Sequence, residues 1–141
     1  MKKSISIIFI SAVIISALGL TSCEKNDVKT YSELIIGTWK CTAQTGNTDF
    51  PPVGSEITFT KDGKLTVGVY TLNYSVSTKT EAIEKYGSKL EDYEFDGGLP
   101  DGICLFIDYG DECGAYPIKE MTKNKAVLAD ENETATFEKV K

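Results

Sequence analysis

The side chains available for chemistry in this 141-residue chain are cysteines, carboxylates, lysines and tyrosines. The chain contains no histidine, and all 15 of its cationic side chains are lysine. Histidine is the usual general base near neutral pH, and arginine is the residue that grips carboxylates and phosphates with two parallel hydrogen bonds. The composition therefore excludes Ser-His and Cys-His nucleophile pairs and histidine metal sites. It predicts a protein that is not an enzyme and that uses no metal or cofactor.

The acidic residues fall into short groups, within 91–96, 108–112 and 130–133. Paired carboxylates can hydrolyse glycosides or bind calcium. No calcium-loop pattern is present, however, and each group falls at a predicted bend, so we interpret the acids as solvated turns. The formal net charge of −6 argues against a nucleic-acid partner, because phosphate binding needs a positive patch.

Cys23 lies at the end of the most specific motif in the chain. Lys2 and Lys3 precede an apolar run over 5–20, which is shorter than the roughly 20 residues that a bilayer-spanning helix needs. The next residues, LTSC at 20–23, resemble the lipobox of bacterial lipoproteins, in which a peptidase cuts before a cysteine that carries diacylglyceryl. The alternative is an ordinary signal peptide with a cysteine near its cleavage site.

This resemblance implies that 1–22 is a lipoprotein signal peptide and that acylated Cys23 attaches the protein to a membrane. Glu24 follows the cysteine, which implies sorting to the outer membrane of the cell envelope. Whether the protein faces the periplasm or the surface stays open. The polar stretch over 23–32 is predicted to be a flexible tether, which leaves 33–141 as one domain.

Three cysteines remain after Cys23, in a compartment that permits disulfides. Cys104 and Cys113 would lie opposite each other if the hairpin between them turned tightly at 108–109. A turn that uses Gly110 would change the register. A bridge from Cys41 to either of them, or no bridge at all, is also open, since Cys41 suits a buried small side chain.

Apolar residues recur at every second position through most of this domain, which is typical of half-buried strands. The clearest example is the hairpin in which Lys61, Asp62 and Gly63 separate two alternating segments. Further strands are predicted over 70–76, at Tyr93 and Phe95, and over 103–108, 116–121, 125–129 and 134–140. Thr78 with Glu81 predicts a capping box for one short helix that stops at Gly87. We therefore expect an all-β, antiparallel up-and-down barrel of about eight strands with one short helix.

Several segments resemble the lipocalin-like domains of Bacteroidetes lipoproteins: LIIGTWK (34–40), ITFTKDGKL (57–65), YPI (116–118), AVL (126–128) and TFEKV (136–140). The resemblance covers roughly 33–141. It implies a lipocalin-like β-barrel in which Trp39 closes the floor, where an arginine of the last strand usually packs. Lys139 is the candidate substitute, because the chain has no arginine.

Two functions follow as hypotheses. The first is a non-catalytic binding protein that holds a small apolar or amphipathic ligand inside the barrel. Aromatic side chains are the candidate ligand contacts, although a domain of this size needs most of its aromatic residues for the core; the candidates are Trp39, Phe59, Tyr70, Tyr74, Phe106 and Tyr116. The second is an interaction or inhibitor module of the envelope that contacts a protein or glycan through its loops, chiefly the acidic region 78–111.

Overall fold

The computed structural model describes residues 23–46, 50–95 and 97–141, with side chains at 28–46, 50–93 and 97–141. The proposed signal peptide lies outside the described residues. The strands are β1 (Gly37–Gln44), β2 (Glu56–Phe59), β3 (Lys64–Val67), β4 (Tyr70–Thr78), β5 (Ile103–Asp108), β6 (Cys113–Met121), β7 (Lys125–Asp130) and β8 (Glu133–Lys139). The helices are α1 (Cys23–Leu34), α2 (Lys79–Tyr86) and α3 (Asp92–Phe95), with a 3-10 turn at Gly87–Leu90.

Each strand pairs antiparallel with the next, and β8 pairs with β1, so the sheet closes into a barrel. Trp39 lies opposite Ile57 of β2, and Cys41 lies opposite Phe137 of β8. A bulge between Cys41 and Ala43 shifts the register of the closing pair. The predicted eight-stranded up-and-down barrel is therefore confirmed.

The barrel interior takes one face of each strand, as the two-residue alternation predicts. Trp39, Leu65, Leu105, Leu128 and Phe137 are almost completely buried within a single interior cluster. Residues that favour turns lie at the strand ends. At the predicted hairpin, Gly63 takes a φ of 83°, which a residue with a Cβ rarely adopts.

A second apolar cluster lies outside the barrel, between the helical segment 79–95 and the outer face of β4 to β6. Its buried members are Ala82, Tyr86, Leu90, Cys104, Phe106, Cys113 and Ala115. Hydrogen bonds attach the segment to the sheet: the hydroxyls of Ser75 and Tyr86 pair, and the Ala115 amide donates to the Tyr93 hydroxyl at 2.6 Å. Apolar clusters therefore lie on both sides of β5.

Trp39 and Lys139 close one end of the barrel, which we call the floor. The Trp39 indole N–H donates to the Ile35 carbonyl at 2.7 Å, and Lys139 Nζ lies 4.7 Å from the centre of the Trp39 rings. The ammonium also donates to the carbonyls of Leu34 and Ile36, at 2.7 and 2.8 Å. Lys139 thus supplies the cation and donors that the resemblance assigns to an arginine.

Helix α1 occupies the segment for which the sequence predicts a flexible tether. Its last turns pack Tyr31 and Leu34 against the interior cluster at the floor. Val28, Tyr31 and Leu34 recur every third residue, which places them on one face of a helix. The prediction of a flexible tether considered the polar residues of this segment and missed that spacing.

Two local predictions are corrected. Tyr93 and Phe95 lie in α3 and not in a strand. Thr78 is the N-cap of α2 and Gly87 its C-cap, as predicted, but the Thr78 side chain makes no capping hydrogen bond, so the capping box does not form. Over the described residues, the structure contains no helix of the length and apolarity required to cross a bilayer.

Candidate functional site

A cavity of about 300 Å³ opens at the end of the barrel opposite the floor, which we call the mouth. The connections at the mouth are the one between β1 and β2, of which 45–46 and 50–55 are described, and those at 68–69, 109–112 and 131–132. The cavity wall consists of Phe50, Pro51, Ile57, Phe59, Leu65, Val67, Tyr70, Leu72, Leu105, Ile107 and Tyr109. Nine of these eleven side chains carry no polar atom, so the cavity is lined almost entirely by hydrocarbon.

Strand alternation positions most of the wall. On each of three strands, two wall residues point inward because one outward residue separates them. These pairs are Ile57 and Phe59 of β2, Leu65 and Val67 of β3, and Leu105 and Ile107 of β5. Leu72 of β4 also points inward. The remaining wall residues come from the connections or the strand ends at the mouth. The wall is therefore mostly sheet, and the connections complete it at the rim.

The connection between β1 and β2 contributes Phe50, which turns into the barrel and is only 9% exposed. Its ring lies 4.8 Å from that of Tyr116 and 5.7 Å from that of Phe137, measured between centres. The Gln44 side chain fixes this position by donating to the Pro51 carbonyl at 2.6 Å. Phe50 was not among the predicted site residues, although an apolar Phe-Pro-Pro triplet in a polar loop is a signal that could have identified it.

Exposed apolar side chains surround the mouth. Val69 is 91% exposed and Tyr70 is 70% exposed at the turn between β3 and β4, and Val53 is 58% exposed in the β1–β2 connection. Burying such side chains under a ligand removes apolar surface from water. The rim therefore presents apolar surface to water at two of the connections.

The polar side-chain atoms of the wall are the hydroxyls of Tyr70 and Tyr109. Tyr109 belongs to the turn after β5, and its hydroxyl lies 2.6 Å from that of Tyr116. A phenol both donates and accepts hydrogen bonds. The cavity therefore has an apolar interior and a neutral polar edge.

Five of the six predicted aromatic contacts divide into three groups. Phe59 and Tyr70 line the cavity. Tyr74 and Tyr116 are buried in the interior cluster beside it; the Tyr74 hydroxyl donates to the Thr60 carbonyl at 2.7 Å, and burial raises the Tyr74 pKa. Trp39 lies in the floor and lines no part of the cavity.

Phe106 requires a correction, because it faces away from the barrel interior. It is completely buried under the helical segment, where its ring lies 5.8 Å from that of Tyr86. The signal for this was the apolar character of both faces of β5, ICLFID, which implies a strand covered on both sides.

The candidate bridge between Cys104 and Cys113 is also corrected. The turn spans 109–112, where the Tyr109 amide donates to the Glu112 carbonyl at 2.9 Å, so Cys113 lies opposite Asp108 and Cys104 lies opposite Pro117. The two cysteines are thus four positions apart along the sheet, about 13 Å, and a disulfide needs about 4.4–6.8 Å between Cα atoms. Cys41 is free as well.

Burial sets the chemistry of these thiols. Desolvation raises the pKa of Cys104 to about 11 and that of Cys113 to about 12, and it raises the pKa of Cys41. The thiolate is the reactive form of cysteine. All three side chains therefore act as packed apolar groups at neutral pH.

The carboxylates of the described residues show no metal-binding arrangement. Asp108 is paired with Lys89 at 2.9 Å, a contact that lowers the Asp108 pKa. Within the residues that the structure describes, no three cysteine or acidic side chains are grouped closely enough to hold a metal ion.

The ring of eight consecutive antiparallel strands, with Trp39 on β1 at the closed end, decides the architecture. The fold is a lipocalin-like β-barrel. Comparison with protein-family models and with curated protein sequences finds no match. Among solved structures, the chain is similar to a lipocalin-like protein from Bacteroides uniformis, at 19% identity and a TM-score of 0.35. The match covers 76% of this chain and 99% of that one. Because the TM-score is low, the lipocalin-like assignment depends on the strand pairing described above.

Proposed function

We propose that this protein is a lipid-anchored, non-catalytic binding protein of the cell envelope, whose lipocalin-like barrel holds a small apolar or amphipathic ligand. The observation that carries the binding role is the cavity at the mouth, with its apolar wall mostly on strands. Its volume is at the small end of the range of ligand pockets and corresponds to about ten water molecules. The ligand is therefore small.

The experiment is a titration of the purified protein with the neutral fluorescent dye N-phenyl-1-naphthylamine. Val67→Trp adds a large side chain to the cavity wall, whereas Ile83→Trp adds the same side chain to the exposed face of α2. We expect dye fluorescence to rise with the wild type and with Ile83→Trp, and the rise to be lost with Val67→Trp. Equal binding by both variants would refute the cavity as the ligand site.

The anchoring part of the proposal rests on the lipobox-like LTSC motif and is tested separately. We expect the mass of the protein from the membrane fraction to correspond to residues 23–141 plus a diacylglyceryl group and fatty acyl chains. Cys23→Ala should release the protein from that fraction. An unmodified Cys23, or an uncleaved leader, would refute the anchor.

A second candidate function is an envelope interaction or inhibitor module that contacts a protein or glycan. It is favoured by a surface groove of about 750 Å³ between the helical segment and β6, whose lining includes Tyr93, Tyr109, Asp92, Glu112 and Glu131. Aromatic rings with carboxylates suit hydroxyl-rich partners. The double variant Asp92→Lys and Glu131→Lys should abolish binding of envelope glycan fragments without affecting dye binding, and an unchanged glycan affinity would count against this role.

A further inference from the structure

We infer that the cavity selects uncharged ligands and discriminates against molecules whose head group is ionised. This inference rests on the proposed binding function and concerns the same site. It begins from the wall, in which none of the eleven side chains is charged. An ionised group taken out of water needs a partner of opposite charge or several hydrogen bonds, and without them its burial is very costly.

The surroundings of the mouth add to this discrimination. The four connections at the mouth contain no lysine, whereas Asp111, Glu112 and Glu131 lie in them. The chain has no arginine that could replace a lysine there. Lys89, on the helical segment, is held by Asp108. Lys85 also lies near enough to Asp108 to act on its carboxylate. With Asp108 included, an anionic head group at the mouth would therefore meet more acidic than basic side chains among the described residues.

The neutral polar edge suits a hydroxyl or carbonyl group. The two wall residues with a hydroxyl are Tyr70, at the mouth end of β4, and Tyr109, in the turn after β5. The other nine wall side chains are hydrocarbon. An alcohol could place its tail among Leu65, Leu105 and Ile107 and exchange a hydrogen bond with the phenol of Tyr70. The Tyr109 hydroxyl is already paired with that of Tyr116. The favoured ligand class is thus a short apolar molecule with one uncharged polar group.

Three probes with the same tail test the inference: 1-octanol, octanoate and octylamine, each titrated at pH 7.4 against the purified protein with bound N-phenyl-1-naphthylamine. At this pH, octanoate is an anion and octylamine is a cation. We expect 1-octanol to displace the dye at a concentration roughly tenfold or more below that of octanoate. Octylamine should fall between the two, because its ammonium group loses water in the uncharged cavity but is attracted by the acids of the mouth.

A variant that adds a cation to the rim makes the test stricter. Tyr70 is exposed at the mouth, so Tyr70→Lys should fold. The added ammonium should raise the affinity for octanoate, relative to the affinity for 1-octanol, by roughly tenfold. Ile83→Lys places the same charge on α2, away from the cavity, and should leave the ratio of the two affinities unchanged.

The possible outcomes distinguish a failure of charge selection from a failure of the proposed binding function. If octanoate or octylamine displaces the dye as well as 1-octanol does, selection by charge is refuted while the cavity remains a binding site. If Tyr70→Lys leaves the preference unchanged, the location of the head group at the rim is refuted. If neither the dye nor any probe binds, the proposed function itself fails.

Discussion

Lys139 lies against Trp39 at the floor, where the lipocalin resemblance implies an arginine. Its ammonium satisfies two backbone carbonyls and lies over the ring system of Trp39, so three contacts at the floor depend on one flexible side chain. Gly37 makes room for it: a Cβ there would lie 3.2 Å from Lys139 Cε, at a φ of 128°. The position of the lysine in the last strand was predictable from sequence, whereas its two carbonyl partners were not, because helix α1 was not expected.

Removing this cation should destabilise the barrel. We expect Lys139→Met to lower the free energy of unfolding by about 2 to 3 kcal/mol, because two carbonyls lose a charged donor and Trp39 loses a cation–π contact. Urea denaturation followed by Trp39 fluorescence measures this, since the chain contains one tryptophan.

Two variants bracket the Lys139 prediction. Lys139→Arg should retain most of the stability, because the guanidinium can donate to the same carbonyls. Lys125→Met removes an exposed ion pair with Glu120 and should cost no more than about 0.5 kcal/mol. A Lys139→Met variant as stable as Lys125→Met would contradict the assigned role of the floor lysine.

Strand β5 differs from a half-buried strand because both of its faces are buried, one in the barrel interior and one under the helical segment. Leu105 faces the cavity, and its neighbour Phe106 faces the helical segment. The sequence identified the strand correctly from its residue types, but the direction of each side chain depends on which face the rest of the chain covers. That choice is made by the packing of α2 and the 3-10 turn, which strand alternation does not encode.

The adjacent pair Leu105 and Phe106 gives a test of this division. Phe106→Leu should lower the free energy of unfolding by about 1 to 3 kcal/mol and leave the affinity for N-phenyl-1-naphthylamine unchanged. Leu105→Ala should reduce stability by about 2 to 5 kcal/mol and also change the affinity. Fluorescence titration and urea denaturation of both variants provide the comparison, and a large change of affinity in Phe106→Leu would show that the two faces are not independent.

The mouth illustrates why a binding site was harder to predict than the strands. Wall residues such as Ile57 and Leu65 have the same alternation as residues that fill the core near the floor. What separates them is the end of the barrel at which they lie and how the connections pack there. Phe50 reaches Tyr116 and Phe137 across a separation of more than 60 residues, which no local pattern in the sequence indicates.

For the whole molecule, the buried thiols and phenols predict a loss of stability at alkaline pH. In the folded state, burial holds the pKa of Cys104 at about 11, whereas the ordinary thiol value is 9.0. Below pH 9 both states are protonated, so the full stability is present. Between these values the unfolded chain releases a proton that the folded chain retains, so stability falls as the pH rises.

The expected slope is up to about 1.4 kcal/mol per pH unit for each such thiol. Tyr74, Tyr86 and Tyr93, whose pKa values are also raised by burial, act in the same direction at higher pH. Lys139 acts in the opposite direction, because burial lowers its pKa. Urea denaturation between pH 8 and 10.5 tests the net effect. The double variant Cys104→Ala and Cys113→Ala should flatten the slope, and an unchanged slope would exclude the thiols as its source.

Because the three buried cysteines are unreactive, labelling of the Cys23 thiol can report whether that residue is modified. Under native conditions, a maleimide should react with Cys23 alone, because Cys41, Cys104 and Cys113 are shielded and protonated. One equivalent of label is expected on protein whose Cys23 thiol is unmodified, and none on protein whose Cys23 sulfur already carries a thioether to glycerol. Counting accessible sulfhydryls before and after denaturation therefore measures the extent of lipid attachment without any knowledge of the ligand.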